Sequence, residues 1–193
     1  MARQDPATGR YDLGPHAIRF GLAALARVDA FAEADPAVAA FVRETGRTAL
    51  IAALGPAGPT IVRWHPGAPA VTTSLAVGSV LPLLHSATGH AFLAFLSDAE
   101  LDGVAGEAAR SAEVAAVRRR VRAAVAAAVD GTVIPGLRAT AVPILDLQGR
   151  PALVATMLAT SALDPAGDAA ATRHLQDACR GATEAIGGTW PPG

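Results

Sequence analysis

The stretch whose residue types and spacing could do chemistry is Gly78 to Asp98, GSVLPLLHSATGHAFLAFLSD, where Ser86, Ala87, Thr88 and Gly89 stand just ahead of an apolar run. A serine in that position accepts a hydrogen bond from an amide two or three residues on, and so starts a helix. Ala87, Thr88 and Gly89 then fill the first turn. Free amides there carry roughly half a positive charge, and small side chains let an anionic group approach them. This is the chemistry of binding, not of bond breaking.

Catalytic patterns are missing. No Gly-x-Ser-x-Gly run places a serine on a strained elbow, and Ser86 and His85 are neighbours in sequence whose side chains do not face each other on a helix start. With no lysine in the chain, a Gly-x-x-x-x-Gly-Lys phosphate cradle is excluded. His65, His85 and His90, with Asp130 as an oxygen donor, form the one metal alternative. Its weakness is spacing: His85 and His90 are five apart, whereas ligands on one helix turn lie three or four apart. These histidines read better as polar wall or surface, and neither metal nor cofactor is expected. Cys179 is the sole cysteine, which excludes an internal disulfide and a thiolate zinc cage, and reads as core.

The elements that must position the Ser86 stretch follow from periodicity. Residues 1–10 are polar and broken by Pro6 and Gly9, so a frayed tail is expected; order starts near Tyr11. Ile18, Leu22 and Leu25, with Phe20, Val28 and Phe31, predict a helix over 16–33, more apolar than one buried face needs, and so a linker or dimer element as well as core. Asp35-Pro36 predicts a second helix start, with Asp35 as N-cap and a stop at Gly46. Thr48–Leu54 and Thr60–His65 read as antiparallel strands around GPAGP, and Val71–Val77 as a third strand feeding the loop.

Beyond Asp98, a capping candidate, a brief helix runs through Val104. Ser111 followed by Val114, Val117, Val121, Val125 and Val129 predicts a long helix whose other face, Arg118, Arg119, Arg120 and Arg122, is solvated. LRATAVPIL and RPALVATMLAT, joined by DLQG, read as a hairpin. Alternation sets Leu137, Ala139 and Ala141 against Arg138, Thr140 and Val142. A helix over Asp168–Ile186 with Leu175, Cys179 and Ile186 inward ends at Gly187-Gly188. The result is one α/β domain of the α+β type over 11–190, an antiparallel sheet flanked by helices.

Composition bounds what such a domain does. The chain has 193 residues, is 51% hydrophobic and carries a net charge of -1, enough for one core and too neutral for a freestanding nucleic-acid binder. All 16 basic residues are Arg, which reads as genome bias. The N-terminus lacks a signal-peptide core and no run reads as membrane-spanning, so a cytoplasmic protein is expected.

Pro82, Leu83, Ser86, Ala87 and Gly89 before AFLAFL resemble the signature run of the IclR-type transcriptional regulators, though Leu84 and His90 stand where that family usually has His and Lys. Tyr11, Leu13 and Gly14 resemble that family's junction between winged helix-turn-helix and effector domain. Gly136, Ala141, Pro143 and Asp146 match its hairpin. The resemblance implies a GAF-like or profilin-like effector-binding domain, not an enzyme. It further implies a homo-dimer or tetramer whose geometry a small organic effector shifts. Only ten residues precede Tyr11, too few for a winged helix, so DNA contact is expected only through a module absent from this chain, by truncation or by nature.

The resemblance also places pocket residues. Leu137 and Ala139 stand where the family has an apolar residue and often a cysteine; Thr156 and Leu158 stand where it often has two serines. The expected ligand-binding set is therefore Ser86, Ala87, Thr88, Gly89, Asp130, Leu137, Ala139, Thr156 and Leu158. Losing a thiol and a hydroxyl favours a partly apolar acid over a small dicarboxylate, since each unpaired polar group costs about 1 to 3 kcal/mol. A freestanding sensor and a small enzyme using the same cavity are the alternatives.

Overall fold

A computed structural model describes residues 2–4, 11–13, 29–160 and 163–192. The helix expected over 16–33 therefore falls, up to residue 28, outside the described residues. Within the expected tail, β1 (Ala2–Gln4) pairs antiparallel with β2 (Tyr11–Leu13).

The helix expected from Asp35 starts earlier, as α1 (Ala30–Thr45). Asp29 is its N-cap, accepting from the Phe31 amide at 2.9 Å, and Gly46 closes it in the left-handed conformation, φ 70°. Pro36 lies inside this helix, two turns in, where it removes a single backbone bond. Asp35 turns its carboxylate to His65 instead, at 3.0 Å.

The main sheet has the order β4-β3-β7-β6-β5, all antiparallel: β3 (Thr48–Gly55), β4 (Gly58–His65), β5 (Ala127–Asp130), β6 (Leu137–Leu145) and β7 (Pro151–Thr160). Both expected hairpins are present. The strand expected at Val71–Val77 is not: beyond Pro66 and Pro69 the chain runs irregularly, touching the β4 edge only through the Thr60 and Val80 bridge and its flanking bonds.

On one face lie α1 and α5 (Asp168–Ala185). Val38 and Phe41 of α1 and Leu175 and Cys179 of α5 pack there on Ala49, Ile51, Val142, Ala155 and Met157. On the other lie α2 (Ala87–Phe95) and α4 (Ala112–Ala124), with Ala91, Phe92, Val117 and Val121 packed on Leu50, Ala52, Ala141 and Val154. Between these two runs α3 (Asp98–Ala105), whose capping box is built by Ser97 and Glu100 rather than by Asp98. Successive strand residues thus enter opposite cores, as the pleat requires.

The long valine helix is shorter than its stripe. α4 stops at Ala124, Val125 takes the left-handed conformation (φ 46°, ψ 31°), and Val129 belongs to β5. The arginine face is not wholly solvated either. Arg118 donates to Leu96 O and Asp98, each at 2.9 Å, and Arg122 donates to Ala94 O at 2.5 Å, so both tie down the carboxyl end of α2. Arg119 and Arg120 are exposed. Among the described residues, no helix is long and apolar enough to cross a membrane.

Candidate functional site

Ser86 caps α2 as its sequence position requires. Its Oγ accepts from the Gly89 amide at 2.9 Å while its hydroxyl proton goes to Pro82 O at 2.7 Å, so one side chain fixes both the loop and the helix start. The loop is pressed close: a Cβ on Gly89 would overlap the Leu83 carbonyl, and only glycine allows that approach. The amides of Ala87 and Thr88 donate to no protein acceptor among the described residues.

The start of α2 faces a cavity over the sheet. Leu50 of β3, Thr156 and Leu158 of β7, Leu137 and Ala139 of β6 and Val129 of β5 form its floor. Ser86, Ala87 and Thr88 form one wall, and Leu75, Leu81, Val133 and Ile134 close the remainder from two loops. Its volume is about 30 Å³, room for little more than one water. A ligand of ordinary size needs several hundred Å³. Binding therefore requires a wall to move.

Seven of the nine expected residues are brought together here: Ser86, Ala87, Thr88, Leu137, Ala139, Thr156 and Leu158. Gly89 and Asp130 are not. Gly89 is consumed by its contact with Leu83. Asp130 is exposed and pairs in register with Arg138, because alternation along β5 sends Val129 inward and its neighbour to the other side. Among the described residues no charged side chain lines the cavity; its polar groups are the Ser86 cap and a buried pair of hydroxyls, Thr88 Oγ1 and Thr156 Oγ1, 2.9 Å apart. That pair joins α2 directly to β7.

Six lining residues escaped the sequence reading: Leu50, Leu75, Leu81, Val129, Val133 and Ile134. Val129 was legible once β5 is a strand, since pairing with Ala139 puts both on one face. The loop residues left no periodic signal.

The histidines do not assemble a metal site, and among the described residues no group of three metal-ligating side chains comes together. His65 is held by Asp35, His85 is exposed, and His90 is buried with Nε2–H donating to Leu84 O at 2.7 Å. His90 Nδ1 has no partner. Burial pushes the His90 pKa below its ordinary value, against the opposing effect of the Leu84 bond; Arg120 and His85 add to the lowering and Glu113 resists it. Burial also drives the Cys179 thiol far up, so it stays protonated and unreactive.

The described residues thus form an antiparallel sheet with a helix pair on each face and a small cavity at the start of α2 beneath one pair. Comparison with known proteins gives the family: residues 22–182 match the family model described as bacterial transcriptional regulator IclR C-terminal. The chain belongs to the IclR family of bacterial transcriptional regulators and contains that family's C-terminal, effector-binding domain. It is similar to HmgR of Pseudomonas aeruginosa, at 34% identity over 97% of this chain and 79% of that one, with a TM-score of 0.85. An IclR-type transcriptional regulator of Alicyclobacillus acidocaldarius is 25% identical over 96% of this chain and 79% of its own, with a TM-score of 0.69. The IclR of Thermotoga maritima, 17% identical over 96% and 79% with a TM-score of 0.72, shares the fold. None of the curated proteins compared with the chain matches it.

Proposed function

We propose that the cavity between the start of α2 and the β6–β7 hairpin receives a small, partly apolar organic acid, and that its occupancy shifts the geometry of a homo-dimer or tetramer to control DNA binding through a winged helix-turn-helix. The observation that carries this reading is the composition of the walls. They are aliphatic almost throughout, yet at one end two unpaired amides, of Ala87 and Thr88, stand beside the Thr88 and Thr156 hydroxyls. An anionic head fits the amides, an apolar body fits the leucines, and a dicarboxylate finds no second set of donors. Any switch rests on the acid binding one oligomer geometry more tightly than another.

A thermal-shift screen with aromatic acids, short carboxylic acids and lactones tests it. A ligand at a hundred times its Kd adds about 2.7 kcal/mol, a rise of roughly 5 to 10 °C for a domain of this size. Thr156→Val and Ala87→Trp should each weaken a confirmed ligand at least tenfold. Unchanged affinity in both variants removes the site from consideration.

A further inference from the structure

The volume of about 30 Å³ leaves a question that the site itself does not answer: which wall opens. The floor is strand backbone locked in ladders on β3, β6 and β7, and α2 is pinned at one end by the Ser86 cap and the Thr88–Thr156 pair and at the other by Arg118 and Arg122. Two loops remain, residues 66–81, which carry Leu75 and Leu81, and residues 131–136, which carry Val133 and Ile134.

Their hydrogen bonds differ in kind. The 66–81 segment is fastened to the rest of the fold along its length. Gly67 and Val71 amides donate to Thr48 Oγ1, the Ala68 amide to Gly46 O, and the Leu81 amide to Pro59 O, while Gly78 and Ser79 exchange bonds with Ile61. Among the described residues, the 131–136 loop bonds only to itself and its own stem: Gly131 N to Leu137 O, Leu137 N to Ile134 O, and Thr132 Oγ1 to Asp130 O. It hangs from β5, a four-residue edge strand with one neighbour, and both ends of the turn are glycines in the left-handed region, Gly131 at φ 63° and Gly136 at φ 76°. Among the described residues, swinging this loop outward breaks no bond to any other element, whereas lifting the other breaks at least five.

We infer that loop 131–136 is the entrance to the cavity, hinged at Gly131 and Gly136, and that Ile134 is the plug that sets what size of molecule enters. This rests on the cavity being the ligand site, but the entrance can be tested without any effector. Thr156, buried at the back of the cavity, is replaced by cysteine, and its alkylation by iodoacetamide is timed in the folded chain. Cys179, fully buried in the opposite core, reports global opening in the same sample.

Two glycines then make a matched pair. Gly136 and Gly78, one in each loop, both have positive φ, and a Cβ on either meets nothing within 4 Å, so alanine adds backbone strain without a clash. Gly136→Ala strains the closed loop alone and should speed labelling of the Thr156→Cys thiol roughly five- to thirtyfold, leaving Cys179 unchanged. Ile134→Ala should act in the same direction, and Gly78→Ala should not. Acceleration by Gly78→Ala equal to or above that by Gly136→Ala moves the entrance to the other loop and overturns the inference. Equal acceleration of both thiols, or no acceleration in any variant, also overturns it, because the cavity would then be reached only by global opening or by a route that avoids this loop. If an effector binds yet Gly136→Ala leaves labelling unmoved, the binding site stands and the entrance alone is lost.

Discussion

The two faces of the sheet are built to different ends from the same strands. Toward α1 and α5, residues such as Ile51, Val142, Ala155 and Met157 pack on Phe41, Leu175 and Cys179 in one buried cluster. The border of that face is riveted by Asp168, which binds Arg47 at 2.5 Å and Arg138 at 2.7 Å, while Arg138 also holds Leu163 O at 2.9 Å. Toward α2 and α4, alternate residues of the same strands leave a hollow bordered by loops. One face holds the strands in register; the other can then carry a cavity without losing the fold. The period-2 alternation of single strands thereby assigns the packed core and the cavity to opposite faces.

The largest test of that separation is a pair of leucine truncations. Leu175→Ala, fully buried in the packed face, should cost about 3 to 4 kcal/mol in urea unfolding, since the surrounding helices cannot collapse into the space. Leu137→Ala, on the hollow face, should cost clearly less, about 1 to 2 kcal/mol, because this side chain already lacks neighbours on its cavity side. Equal costs would mean that the hollow is as tightly packed as the opposite core.

Next in size is Asp168→Asn, expected to cost about 2 kcal/mol after allowing for partial exposure. Burial opposes the charge on Asp168, but hydrogen bonds from Arg138 and Arg47 prevail and hold its pKa below the ordinary carboxylate value. The native chain therefore keeps this contribution above the unfolded pKa near 4 and loses it as pH falls toward the folded value. The variant should show a shallower acid limb in a stability profile between about pH 5 and 2.

Enlarging alanines gives a smaller and opposite contrast. Ala155→Val has no room and should cost about 1 to 2 kcal/mol, whereas Ala139→Val points into free volume and should lie within about 0.5 kcal/mol of the parent. The second variant should nevertheless weaken any ligand of the cavity, so a calorimetric titration beside the unfolding curve separates the two faces in one experiment.

Much of this arrangement was legible, and its failures share a cause. The β6–β7 alternation, the Ser86 cap and the inward line of Leu175, Cys179 and Ile186 are local patterns that packing reinforces. Val125 and Val129 continue a helical stripe perfectly well; what ends α4 is a β-branched residue forced into the left-handed region with no glycine or proline to announce it. Asp29 and Asp35 are equally good caps by chemistry, and tertiary partners, His65 and Arg63, claim the second. Val71–Val77 has the apolar content of a strand, but the β4 edge is taken by residues 78–81, whose bonds depend on where the chain returns. Leu75, Val133 and Ile134 reach the cavity from loops, where no period marks a side.

The smallest expected effect bears on the hollow face from behind. His90 sits on α2 with its ring buried, so the folded chain resists protonating it, while the unfolded chain takes up the proton as pH falls past about 6.5. Between that value and the lower folded pKa the unfolded state binds more protons, so stability declines as pH drops and levels off below the folded value. On the opposite face, His174 of α5 is exposed beside Glu44 at 3.5 Å. His90→Gln keeps a donor for Leu84 O and cannot titrate, so its stability should vary less between pH 7 and 5 than that of the parent. A pH dependence unchanged in His90→Gln would mean that the acid sensitivity does not arise from the helix that walls the cavity.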